Sequence, residues 1–232
     1  MTVVAIHQPN FFPWLGYFDK LIRSDVFIFL DDVQLQKTGG TWSNRVKLLI
    51  SGEAKWVTGA IDRNYKGVRN INDMHFLKNS PWKEKMQKSI NVNYANHPYY
   101  AETMEYIKPL LNSSETNVAE YNIRAVTLIA QKLGINSGKF KRSSDYSRKE
   151  RSNELLCSLT RLVGGDTYLC GGGADGYQDQ FIFQQNNINL CYQNFYHPVY
   201  HQLGTDQFVP GLSIIDALMN IGIANTAKML KQ

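Results

Sequence analysis

The chain has 232 residues, of which 43% are hydrophobic and 19% charged, enough for one large domain and a core that needs no disulfide or metal staple. Three cysteines (Cys157, Cys170 and Cys191), with no CxxC spacing, argue against a disulfide framework and against a cysteine-based zinc site. The formal charge of +5 is spread along the chain, which suits a small phosphorylated ligand better than a nucleic-acid cradle.

The first element is a short β-branched run, Val3–Ile6, read as a buried strand that ends at His7-Gln8-Pro9-Asn10. Pro13 then opens a helix whose apolar positions Trp14, Leu15, Phe18, Leu21 and Ile22 recur at helical spacing. Ser24-Asp25 breaks it, and Val26–Leu30 reads as a second strand. Strand, helix and strand in about 30 residues make a βαβ unit with continuous apolar strands, as in parallel sheets covered on both faces. Val46–Ile50 and Lys55–Ala60 form a plausible hairpin about Ser51-Gly52-Glu53, and residues 62–75 read as a loop.

Three helical patterns follow: Pro81–Asn91, Pro98–Leu111 and Asn117–Leu133, the last closed by Gly134. Together, residues 78–134 read as a helical insertion or subdomain within a single α/β domain of residues 1–232. The αβ rhythm then resumes with a strand at 139–142, a helix at 151–163, a strand at 167–170, a helix at 177–185 and a strand at 188–192. A Pro/His/Gly-rich loop at 196–211 leads to a last helix, Leu212–Ile221. The fold class expected is α/β, with a mostly parallel, Rossmann-like (nucleotidyltransferase-like) sheet, a β-hairpin and a helical insertion.

In parallel α/β sheets, ligands bind beyond the carboxyl ends of strands. His7 and Gln8 lie at such an end, Gly16 permits close backbone approach, and the following helix start can receive an anion. Nucleotidyltransferase-type folds carry an HxGH tetrad here; the corresponding Trp14-Leu15-Gly16-Tyr17 lacks both histidines, which weighs against unchanged adenylation chemistry. Asp32 and Gln34, after the second strand, suit a ribose hydroxyl, Mg²⁺ or a proton. Lys37 with Asn44 and Arg45 suits a phosphate or carboxylate clamp. Ser144 follows the third strand of the αβ series, and Gly171-Gly172-Gly173 and Tyr177 follow the fourth. The late loop offers His197 as a further general base, together with Tyr200; Pro198 argues against a helical metal pair with His201, and no metal site is read.

The run HQPNFFPWLGYFDKL, then DVFIFLDDVQ and Asn44-Arg45, resembles the WbqC-like family, as do TYLCGGGADGY, FYHPVYHQL and LSIIDALMNIG further on. The resemblance covers nearly the whole chain. It implies a role in bacterial O-antigen or other surface-polysaccharide biosynthesis, and transfer of a glycyl or other acyl group to form an amide on an amino sugar. The sugar would be nucleotide-linked or lipid-linked. The acyl group would be activated with ATP and Mg²⁺ or come from a preactivated donor such as aminoacyl-tRNA. On strand-end position and residue type, His7 is the expected base and Asp32 orients it or a metal. Arg45 and Lys37 hold an anion, and the Gly171–Gly173 backbone serves an oxyanion. Two readings stand beside transfer: a nucleotidyltransferase-like activating enzyme and a non-catalytic nucleotide-sugar binding module. The start of the chain lacks the features of a signal peptide and no transmembrane run is found, so the expected location is the cytoplasm, with no integral membrane segment.

Overall fold

The computed structural model describes residues 1–36, 41–171 and 178–231. Lys37, Gly172 and Tyr177, three of the expected site residues, lie outside the described residues.

Five parallel strands form the main sheet: β1 (Val3–His7), β2 (Val26–Phe29), β5 (Phe140–Arg142), β6 (Thr167–Cys170) and β7 (Asn189–Tyr192). Their spatial order is β5-β2-β1-β6-β7. Counted among themselves in chain order, that is 3-2-1-4-5, a Rossmann-like arrangement with its direction of winding reversing between β1 and β6. Central β1 pairs with β2 on one side (Ala5 opposite Phe27) and with β6 on the other (Ala5 opposite Leu169).

The continuous apolar strands are explained by cover on both faces. Ala5, Phe27, Phe29 and Leu169 point into a large core shared with α1 (Leu15–Arg23), the hairpin and the helices of the middle and end of the chain. Val4, Ile6, Ile28, Tyr168 and Cys170 point the other way, into a smaller core closed by α5 (Ser152–Leu162) and by Phe183 of α6 (Gln180–Gln185). Cys157 and Cys170 are buried, and neither forms a disulfide with a cysteine of the described residues.

The hairpin is β3 (Arg45–Ile50) with β4 (Glu53–Thr58), an antiparallel pair turning at Ser51-Gly52. Its second strand starts and ends two residues earlier than expected, because Ser51 and Gly52 both take positive φ (52° and 77°) and make a two-residue turn. The loop read at 62–75 contains a 3-10 turn, Ile71–Asp73, with reciprocal Asn70 and Asp73 caps. Helices α2 (Trp82–Tyr94), α3 (Tyr100–Leu111) and α4 (Val118–Lys132) match the three expected patterns; α2 packs on the hairpin and α3 on α7 (Ile214–Met229). The expected final helix stops at Ile221 because Gly222 is non-helical (φ 74°), but the chain resumes helix beyond this kink to Met229. A Cβ at Gly222 would meet the Tyr99 ring at 2.6 Å, so the kink is also where α7 receives the start of α3. Among the described residues, no helix is long and apolar enough to cross a membrane.

Candidate functional site

At the reversal between β1 and β6, the carboxyl ends of these strands open into a cavity of about 650 Å³. Its lining includes His7 from β1, Tyr168 from β6 and Gly171 just beyond it, and Trp14, at the N-cap of α1, with Gly16, Tyr17 and Lys20 from that helix. Gln193, Phe195 and His197, beyond β7, form another wall, and Trp42 stands at the foot of the hairpin. The polar mouth rests on long-range bonds. Asn122 of α4 donates to the carbonyls of Pro9 (2.9 Å) and Ser43 (2.7 Å), clamping the loop after β1 to the one before β3. The Phe11 N–H donates to the Trp42 carbonyl at 2.7 Å, and the Ser213 hydroxyl to the Phe12 carbonyl at 2.6 Å. These partners hold buried Phe12 at φ 42°, a conformation that L-residues rarely adopt.

The sharp turn aims α1 so that Gly16, Tyr17 and Lys20, three and four residues apart, share its cavity face. Gly16 is required by contact: a Cβ there would lie 2.2 Å from the Trp14 ring. That ring in turn meets Phe195 (centroids 5.2 Å apart) and His197 (5.1 Å). Tyr17 donates to the Gln8 carbonyl at 3.0 Å and its ring edges onto His7 at 4.8 Å. Gln193 donates to the Gly16 carbonyl (2.6 Å) and to Asp19 (2.7 Å), and Arg23 donates to the Gln193 carbonyl (2.5 Å), locking β7's exit to α1.

Two titratable groups dominate the electrostatics. His7 Nδ1 lies 3.1 Å from the Gln8 carbonyl. A carbonyl can only accept, so Nδ1 carries the proton and Nε2 is the basic nitrogen. Desolvation, followed by the nearby Lys20 charge, pulls the His7 pKa down to about 3, so the ring is neutral at pH 7. Lys20 is 2% exposed. Its ammonium donates to the Ile6 carbonyl at 3.2 Å, and it takes part in none of the ion pairs among the described residues. Burial pulls its pKa down to about 8. Desolvation also lowers the pKa of His197.

Of the expected site residues, His7, Trp14, Tyr17, Gly171 and His197 meet in this cavity. Gln8 contributes its backbone carbonyl, the acceptor for His7 and Tyr17. Asp32 and Gln34 line a different cleft, about 940 Å³, beyond the ends of β2 and β5. There Asp32 pairs with Arg148 at 2.5 Å and accepts from Ser143. Partial burial opposes its ionisation, but the hydrogen bonds from Arg148 and Ser143 win and hold its pKa below the usual value. Ser144 donates to Asp31 at 2.7 Å, closing the same network. Asn44 is buried, donating to the Gly59 carbonyl (2.9 Å) and accepting from the Thr41 hydroxyl (3.2 Å), so it shapes the foot of the hairpin. Arg45 lies over the Trp56 ring at 4.1 Å, and Trp56 meets Trp42 at 5.1 Å. Tyr200 donates at 2.7 Å to Asp216, a buried carboxylate that Tyr94 (2.9 Å) and Gln202 (2.9 Å) also reach. It fastens the late loop to α7.

Sequence reasoning missed Lys20, Trp42, Gln193 and Phe195. For Lys20 a signal existed: a lysine three and four residues after Tyr17 and Gly16 on a face already assigned to the site. Gln193 carried none, since its partners lie more than 170 residues away. Among the described residues, no group of three or more His, Cys, Asp or Glu side chains is placed to hold a metal ion.

Sheet order and cavity together define a Rossmann-like α/β protein with a crevice at its topological switch point. The chain belongs to the WbqC-like protein family, whose model matches residues 8–228. It is similar to an uncharacterized protein of Mycobacterium tuberculosis, with 30% identity over 224 residues, covering 96% of this chain and 95% of that one. No solved structure gives a significant match.

Proposed function

We propose that this protein is a transferase that forms an amide, placing a glycyl or other aminoacyl group on the amine of a nucleotide-linked or lipid-linked amino sugar used in surface-polysaccharide synthesis. The observation that carries the reading is the neutral His7 at the end of central β1, facing a cavity large enough for a sugar and an acyl group. Amide formation needs a base for the attacking amine. The unprotonated Nε2 supplies the lone pair, and Nδ1 is held by Gln8. The proton affinity of His7 is low in the protein alone. Negative charge developing on a tetrahedral adduct raises it at the moment when the amine proton must leave, and collapse of the adduct breaks the acyl C–O bond to the donor, releasing AMP from an acyl-adenylate or the tRNA from an aminoacyl-tRNA. Trp14 and Trp42 on the cavity wall offer flat faces for a sugar ring.

The test is incubation with ATP, Mg²⁺ and an amino-acid mixture including glycine, following pyrophosphate release, in parallel with aminoacyl-tRNA and a nucleotide-linked amino sugar, following amide formation by mass. Amide formed from either donor, and lost in His7→Ala, supports the reading. Pyrophosphate release with no amide would make the protein an activating enzyme. Tight binding of the nucleotide sugar with no product from any donor would leave a binding module.

A further inference from the structure

A buried ammonium is costly unless an anion accompanies it. Lys20 sits on α1, lines the cavity and is 2% exposed, and among the described residues the Ile6 carbonyl is its one hydrogen-bond acceptor. Among the described residues, the titratable groups that line the cavity with it are neutral at pH 7: His7 on β1, Tyr17 on its own helix, Tyr168 on β6 and His197 in the late loop. The Cys170 thiol, whose charge would favour the ammonium, is turned into the smaller core. Asp19, the nearest carboxylate along the helix, is engaged instead by Gln193 (2.7 Å) and Arg23 (3.4 Å). One turn before Lys20, the N-terminal end of α1 reaches the same cavity through Gly16, and helix N-termini favour negative charge.

We propose that this cavity binds a small oxyanion, a carboxylate or a phosphate, which pairs with the Lys20 ammonium and lies against the N-terminus of α1. The inference deepens the transferase reading, since it names the charged group by which a substrate is anchored beside His7. One buried cation matches one negative charge, as carried by a free carboxylate or by each phosphate of a nucleotide-linked sugar.

The test reads the Lys20 amine directly in the intact protein. A short pulse of acetic anhydride at a series of pH values, followed by peptide mapping, reports the fraction of each lysine that is unprotonated. Without anion, Lys20 labelling is expected to be half-maximal near pH 8. Millimolar inorganic phosphate or acetate, at constant ionic strength in chloride, is expected to slow Lys20 labelling about tenfold at that pH, because a paired anion holds the amine protonated. The exposed Lys66 should keep its rate. Slowing by acetate alone assigns a carboxylate, by phosphate alone a phosphate, and by both a general oxyanion site. Unchanged Lys20 labelling with both probes overturns the proposal. Tryptophan fluorescence gives a second readout, since Trp14 and Trp42 share the cavity: anion titration should perturb it in the wild type and not in Lys20→Met. An identical titration in that variant also overturns the proposal. Neither measurement involves turnover, so anion binding without amide formation would remove the transferase reading and leave this one standing.

Discussion

Replacing Lys20 with Met is expected to make the protein more stable at neutral pH. The side chains are similar in length, so Met keeps the apolar stem packed and removes only the buried charge. In the folded chain the Lys20 pKa is about 8, against 10.5 when exposed. The unfolded state therefore binds the proton more tightly, and the folded state loses stability below that range. The gap corresponds to about 3 kcal/mol of penalty at pH 7. Leaving the Ile6 carbonyl without its donor gives back about 1 kcal/mol, so a net gain of about 2 kcal/mol is expected. Urea denaturation at pH 7 and at pH 10.5 checks both the sign and the window. The penalty falls as pH rises from 8 and is gone above 10.5, where the amine is neutral in both states, so the advantage of Met should shrink to nothing or reverse. If Lys20→Met is less stable than the wild type at pH 7, the ammonium is not an uncompensated charge and the reasoning fails.

The same argument applies to His7, whose ring stays neutral in the fold down to about pH 3 while the unfolded chain takes up the proton near 6.5. Stability should fall as pH drops from 6.5, by about 1–2 kcal/mol at pH 5, and His7→Gln should flatten that part of the profile in a pH-dependent urea series. Asp32 has the opposite sign: its lowered pKa contributes stability above the unfolded value that is lost as pH falls through the folded one. Asp32→Asn should cost on the order of 1 kcal/mol at pH 7 and nothing once both forms are protonated, which thermal melts at pH 7 and pH 2 would compare. Gly16→Ala puts a methyl where the Trp14 ring lies, at a cost of about 1–3 kcal/mol, and its tryptophan emission should shift; an unchanged spectrum and melting temperature would show that the contact is absent. Tyr200→Phe should lose about 1 kcal/mol through one of the two hydrogen bonds to Asp216 Oδ2, the Gln202 bond remaining, measured as a lower urea midpoint.

The elements that local pattern specifies were legible in the sequence. Val3–Ile6 and Val26–Leu30 showed the unbroken apolar runs of strands covered on both faces, and the structure pairs them in parallel. Five of the residues expected from strand ends and the late loop, His7, Trp14, Tyr17, Gly171 and His197, line one cavity. Asp32 was harder to place. Its position after β2 is visible, but the side chain is turned away from His7 by Arg148 and Ser143, partners more than 110 residues on. Tyr200 likewise looked like a pocket aromatic because Asp216, its buried acceptor, reads in sequence as an ordinary first-turn helix acid. Hairpin register and the Gly222 kink depend on positive-φ residues, whose presence a sequence marks but whose use it does not.

The position of β1 also sets a timetable for synthesis. Its first neighbour, β2, ends at Phe29, but its second, β6, does not begin until Thr167. At ribosomal elongation rates, the intervening chain takes on the order of ten seconds to emerge. Over that interval the central strand of the sheet has one edge without its native partner, the condition under which strands pair with the wrong chain. The cavity is later still, because Gln193 and Phe195 follow β7. A nascent chain of this protein therefore carries the first wall of the cavity, His7 to Lys20, long before the residues that complete it are made.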